Sequence, residues 1–336
     1  MSGDRRGPPK KVVYVMGAGH SGSTILGVAL GNCEGFFYAG ELEEWLITGD
    51  TPRWALREGQ QFWSAVGQRV SGAEQLFGSA ANRCIERSSA LLRADLWLQR
   101  LRLRRRYREV AEQLIDAVAE QAGARCVVDT SHFPLRAREL RTLAGVDVVL
   151  VYLVRDPQEV VASNVRELSL HEVAERRWRT LVMNANLCLT ALVSLAVFLT
   201  HPRKRRIFVR HEDFLLDPEG VVRQILDTAG TPTVQVPDLA RLHVGSPLQA
   251  GRLIRAETVA VKRHSADAPP AARSLMTRIA QAPWRPILRL LRPPAVVGAA
   301  AGARDAGAGA RDAGAGTGTG AGAGVESSQA PPVETR

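Results

Sequence analysis

The 336-residue sequence is poor in cysteine, with four, and none of them stands at short spacing from another. Cys33, Cys84, Cys126 and Cys188 include no Cys-x-x-Cys pair and have no histidine at metal-ligand spacing, so neither a disulfide framework nor a zinc site is expected. Also missing is an apolar leader. Residues 1–10 read MSGDRRGPPK, a flexible polar start without the roughly 7–15 apolar residues of a secretory signal. A cytoplasmic, reducing setting is the expectation. The longest uncharged apolar run, residues 187–200 (LCLTALVSLAVFLT), falls short of the ~20 residues that span a bilayer and is expected as a buried helix. Aromatic residues make up only 5%, and no basic stretch interleaves with them in the manner of a nucleic-acid-binding module, so nucleic acid is not the expected partner.

Positive charge is present in excess, +10 net, while residues 299–336 carry three arginines against four acidic side chains. The excess therefore belongs to the rest of the chain. Such a field attracts polyanions in general, a phosphorylated nucleotide or an anionic membrane among them, and does not choose between them. The run His201-Pro-Arg-Lys-Arg-Arg206 after the apolar stretch is where peripheral membrane contact would fall. Residues 299–336 are mostly alanine and glycine and have too little apolar surface to order themselves, so a disordered tail is expected there. One domain is then expected over residues 11–298.

Within it, short β-branched runs alternate with helical spacing. Residues 11–16 (KVVYVM) read as a strand ending at Gly17, and residues 21–31 carry Ile25, Leu26 and Leu30 on one helical face. Residues 125–129, 146–154 and 206–210 read as further strands, the middle one nearly all apolar as a strand covered on both faces requires. Asp217, Pro218 and Gly230 stand where a helix N-cap, first turn and stop belong. The pattern predicts an α/β fold with a P-loop-like, mostly parallel sheet flanked by helices, whose ligands sit beyond the carboxyl ends of the strands. The strand signal lapses over residues 50–122, which read as an arginine-rich helical insertion. Its basic run is by default a solvated helix face, with an acidic acceptor as the sharper alternative.

Between the first strand and first helix lies Gly17-Ala-Gly-His-Ser-Gly-Ser-Thr24. Its backbone N–H groups and the helix N-terminus converge where a phosphate could bind, at Gly19, His20, Ser21, Gly22, Ser23 and Thr24. Gly17 and Gly22 have the spacing of an NTPase P-loop, but Ser23 stands where that loop needs lysine. A small-molecule kinase using ATP, with Asp129 as magnesium ligand, is thus the second reading. A non-catalytic nucleotide- or nucleic-acid-binding protein is the third.

These residues resemble the sulfotransferase family that uses 3′-phosphoadenosine-5′-phosphosulfate (PAPS), especially its Golgi-type and bacterial branches, whose loop reads Gly-x-x-Arg-Ser-Gly-Ser-Thr-Leu-Leu. A second match follows the strand at 146–154. Arg155-Asp-Pro-Gln-Glu-Val-Val-Ala-Ser163 is similar to the family's Arg-Asp-Pro-x-x-x-x-x-Ser, whose Arg and Ser bind the 3′-phosphate. An arginine fork suits a phosphate, and Ser163 lies about two helical turns further on. Val128-Asp-Thr-Ser-His-Phe-Pro-Leu-Arg136 and the Phe208–Glu219 stretch are similar to two further family segments, so the likeness covers roughly residues 11–230.

What the resemblance implies is transfer of a sulfuryl group from PAPS to a hydroxyl-bearing acceptor, a sugar, lipid, peptide or small natural product. The loop would hold the 5′-phosphosulfate, and Arg155 with Ser163 the 3′-phosphate. The reaction asks for positioning, compensating charge and a base, and demands no metal. Related enzymes place a catalytic Glu at the position of Glu41. Glu41 is thus the first expectation for the base, and His20, at a family Arg or Lys, for the cation on the leaving phosphate; His132 stands at a family Lys, so two expected cations have become titratable and either histidine is an alternative base. A histidine base predicts activity that declines below the histidine pKa. The reading further requires the two anion pockets to lie one nucleotide's length apart.

Overall fold

The computed structural model describes residues 9–48, 57–74, 76–78, 82–157, 159, 160, 163, 173–248, 257–261, 282 and 284. The tail expected over 299–336 and most of the flexible start expected over 1–10 lie outside them. The chain divides into units Met1–Leu291 and Arg292–Arg336, and every described residue belongs to the first.

In chain order the elements are β1 (Lys10–Gly17), α1 (Ser23–Gly31), β2 (Phe36–Gly40), α2 (Glu43–Thr48), α3 (Arg57–Arg69), α4 (Trp97–Ala122), β3 (Cys126–His132), α5 (Pro134–Leu140) and β4 (Val146–Val154). There follow α6 (Val173–Thr200), β5 (Arg206–Arg210), α7 (His211–Leu216), α8 (Pro218–Thr228) and the short strands β6 (Leu242–His243) and β7 (Thr258–Val259). Five strands form one sheet in the order β2-β3-β1-β4-β5, all neighbours parallel, while β6 and β7 pair antiparallel on their own. This is the mostly parallel α/β architecture that the alternating pattern predicts.

Successive residues of β1 point to opposite faces, as strand geometry dictates. Val13 and Val15 join a core with Leu26 and Leu30 of α1 and Phe214, Val222 and Ile225 of α7 and α8. Val12, Tyr14 and Met16 join the other core with Trp63, Tyr107, Leu114, Leu140 and Val197 from α3 to α6. Both faces are therefore covered, which is why β4 (VDVVLVYLV) needs so little polarity. Asp217 caps α8 by accepting from the Gly220 N–H at 2.9 Å.

Between β2 and β3 the described residues are helical, with short helical turns at Asn82–Glu86, Ser88–Leu92 and Ala94–Leu96 before α4. The arginine run on α4 is not all solvated face. Arg104 and Arg108 each reach Glu139 of α5 at 2.8 Å, and Arg106 donates to the Gly72 carbonyl at 2.7 Å.

One expectation is overturned. The apolar run 187–200 is helical, as the second half of α6, but it is not a buried core helix. The apolar stretch extends further, over Leu181–Thr200, with mean hydropathy 2.0 and the length and composition to cross a bilayer, and only about a third of its most apolar 18 residues are buried. Leu187, Ala191, Val197 and Phe198 face the core, whereas Val182, Leu192 and Leu199 are about half exposed. The reason is geometric. A helix apolar on every side buries only the stripe that meets neighbours, and α6 finds them in the sheet, α5 and the turn Ser88–Leu92.

Candidate active site

β1 and β4 end side by side, with Gly17 in register with Leu153. The strands approach so closely there that a Cβ on Gly17 would sit 2.2 Å from the Leu153 carbonyl oxygen. The chain leaves β1 for α1 on one face and reaches α6 on the other after β4. Such a divergence opens a crevice at the strand ends. The loop from β1 enters it with His20 at φ 62° and Gly22 at φ 90°. Gly22 is the N-cap of α1 and offers no side chain to the helix, whose first turn carries no acidic residue. The first-turn N–H groups therefore lack a protein anion, and the helix dipole favours one there. The Ser21 hydroxyl is 1% exposed and has no hydrogen-bond partner. These are the features of a cradle for a phosphate-like group.

His211, at the start of α7, closes the far side of the loop. A Cβ on Gly22 would lie 2.3 Å from its Nδ1, so only glycine fits between them. Burial and the Arg155 charge push the His211 imidazole down to about 4, and its Nδ1 has no partner.

Arg155 follows β4 directly. Its Nη1 donates to the His20 carbonyl at 3.2 Å and its Nε pairs with Glu159 at 2.8 Å, neither bond using Nη2. Pro157, Glu159, Val160 and Ser163 are helical, and the Val160 N–H donates to the Asp156 carbonyl at 3.1 Å. The Ser163 hydroxyl thereby comes 3.3 Å from Nδ1 of His20. The loop residues and the Arg155–Ser163 pair, read separately in the sequence, adjoin one another.

On the other side of β1 lie the ends of β2 and β3. Glu41, Glu43 and His132 present ligand atoms all within 4.8 Å of one another, a donor set that a divalent cation could also use. Burial, then the charges of Asp129 and Glu44, push the Glu41 carboxyl up to about 8. Burial and the Glu41 charge raise Glu43 as well. Burial drives His132 the opposite way, down to about 4, against the pull of the Thr130 backbone and Asp129. Like His20, His132 has positive φ, at 53°, and among the described residues these are the two non-glycines that do. A residue held in the left-handed region costs free energy that its surroundings must offset.

Beneath them is a buried ionic network. Asp129 accepts through Oδ1 from the backbone N–H and hydroxyl of Ser131 and the Leu42 N–H, and through Oδ2 from Arg136 Nε at 3.1 Å. Arg136 also reaches Glu86 at 2.9 Å, and the Tyr107 hydroxyl donates to the same Glu86 oxygen at 2.6 Å. Arg136, Asp129 and Glu86 are fully buried. Asp129, a candidate magnesium ligand in the kinase reading, has both oxygens committed inside the protein.

A cleft of about 680 Å³ opens where the loop meets His132. Ala18, Phe133, Met183 and Leu187 give it an apolar wall, and Ser88, Asn186, Thr190 and Arg87 supply polar groups. The structure thus gathers Gly19–Thr24, Arg155 and Ser163 on one side of β1, and Glu41 with His132 on the other. Glu43, Arg87 and His211 were not singled out from the sequence. His211 carries a usable signal, since it lies in the Phe208–Glu219 stretch. Arg87 carries none, its place being set by the fold of the insertion.

A model of the sulfotransferase family matches residues 13–235. No curated protein matches the chain. Among solved structures the chain is similar to the sulfotransferase domain of the Synechococcus PCC 7002 olefin synthase, at 16% identity over 85% of this chain and 97% of that one, TM-score 0.47. It is similar to sulfotransferase STF9 from Mycobacterium avium, at 12% identity over 84% and 77%, TM-score 0.49. It is also similar to retinol dehydratase in complex with retinol and PAP, at 15% identity over 85% and 84%, TM-score 0.38.

Proposed function

Because the chain belongs to the sulfotransferase family, we propose that it moves a sulfuryl group from PAPS to a hydroxyl on an apolar body, with His132 as the base. The observation that carries this reading is the meeting of Arg155 and Ser163 with His20, which brings the two candidate anion-binding elements together. Bound there, PAPS would supply the activated sulfuryl group. The orphaned Ser21 hydroxyl and the uncapped first turn of α1 fit its 5′ end. Arg155, through Nη2, and the Ser163 hydroxyl fit its 3′-phosphate.

His132 is neutral at neutral pH, its imidazole held down near 4, and it lines the cleft that would seat the acceptor. It takes the hydroxyl proton as the oxygen attacks, and the Asp129 charge favours the imidazolium that forms. Glu41, held up near 8, carries a proton under the same conditions and is therefore not the base. His20 stands on the donor side, beside Ser163. The cleft's apolar wall favours an alcohol with an apolar body over a free sugar. The four cysteines are free, which supports a reducing compartment.

Incubation with sulfate-labelled PAPS and a panel of alcohols tests the reading. Label appears in an apolar alcohol, and no acceptor is phosphorylated with ATP and magnesium as donor. Phosphorylation of an acceptor by ATP would overturn it in favour of the kinase.

A further inference from the structure

The exposed face of α6 continues into neighbouring elements. Beside it the turn Ser88–Leu92 exposes Leu91 by 48% and Leu92 by 73%, and the start of α4 exposes Trp97 by 61% and Leu101 by 50%. Leu91, Leu192 and Val193 line one shallow groove with Arg138 of α5 and Arg141 just past its end. Trp97 and Leu101 fall on the helical stripe of Arg104 and Arg108, which reach Glu139 of α5. The apolar side chains thus border α5 from both sides.

Basic groups surround them. Arg87 lies at the cleft, Arg138 and Arg141 at the groove, and exposed Arg203 and Lys204 follow the end of α6. Across residues 87–105, 134–142 and 181–204 the acidic side chains are Asp95 and Glu139, and both are already paired with arginines. An apolar patch of this extent marks a contact surface. A patch of leucines and a tryptophan under a basic rim is complementary to an anionic lipid surface, where the aliphatic side chains enter the acyl boundary and the guanidiniums meet headgroups. We propose that this face docks on an anionic bilayer. α6 lies along the surface rather than across it, because Val197 and Phe198 belong to the core and the Tyr152 hydroxyl bonds the Ala191 carbonyl. The acceptor cleft shares Val182 and Met183 with the same helix, so it opens beside the docked face.

Flotation of the full chain with phosphatidylcholine vesicles, and with vesicles of phosphatidylcholine and phosphatidylglycerol, tests the proposal without reference to the chemistry. Binding to the mixed vesicles is expected, weakening as salt rises. Leu92→Ser and Trp97→Ser should each lower partition by about tenfold while melting temperature and PAP binding stay unchanged. Absence of binding, equal binding to neutral vesicles, or retention of binding in the double variant would overturn the proposal. So would a dimer in light scattering that the same substitutions dissociate, since the face would then belong to a second copy of the chain.

Discussion

The Ser163 hydroxyl lies 3.3 Å from Nδ1 of His20, across 143 residues of sequence. Arg155 donates to the carbonyl of that same His20. The loop after β1 and the helix after β4 therefore share one residue as their junction. The roles of the remaining groups follow from their place around this junction.

His132 as base predicts a shifted pH profile. With its imidazole near 4, kcat/KM for the donor should show no inflection in the ordinary histidine range and should fall only as pH approaches 4. The decline expected from an unperturbed histidine is displaced downward by burial. His132→Gln should lower kcat by ~10²–10⁴-fold. An inflection near pH 6.5 that disappears in His20→Gln would move the base role to His20.

Glu41 predicts a stability change at the opposite end. Its folded pKa of about 8 stands above the ordinary glutamate value of 4.5, so unfolding releases a proton between those values, and stability is lost as pH rises through that window. Glu41→Gln removes the ionisable group. Thermal melts should show the variant gaining stability over the parent as pH rises from 4.5 to 8, by up to ~4 kcal/mol at pH 8, with little difference at pH 4.5. Equal melting shifts at both pH values would contradict the raised carboxyl.

Arg136 predicts a large structural loss. Replacing it with methionine keeps most of the volume but leaves Asp129 and Glu86 buried without their cation. Urea unfolding should show destabilisation of ~3–5 kcal/mol. A loss below about 1 kcal/mol would mean that water reaches the pair.

The Glu41, Glu43 and His132 cluster predicts how metal acts. If these groups serve acid–base chemistry, chelator leaves the rate unchanged and added zinc inhibits by occupying His132. Loss of activity on chelation, restored by a divalent cation, would reassign the cluster as a metal site.

The glycine loop and the Arg155 turn were legible because their signals are local. Glycine spacing at 17 and 22 and the Arg155-Asp-Pro step are carried by neighbours in sequence, and the N-cap Asp217 and Pro218 likewise mark their own helix. The acceptor side depends on pairing at a distance. Glu41 and Glu43 reach His132 only because Gly40, the end of β2, pairs with Asp129 of β3, which brings carboxylates together and inverts the ordinary pKa order of acid and histidine. The apolar composition of α6 was legible, but its burial was not, since composition does not say how many sides of a helix will find neighbours.

The central claim is a single site that reads a 3′-phosphate through Arg155. Calorimetric titration with PAP and with 5′-AMP tests it most directly. The account predicts that PAP binds tighter than AMP by about 10–100-fold, and that Arg155→Ala abolishes most of this difference while leaving AMP binding nearly unchanged. Equal affinity for the two nucleotides in the parent protein, or an undiminished preference in Arg155→Ala, would contradict it.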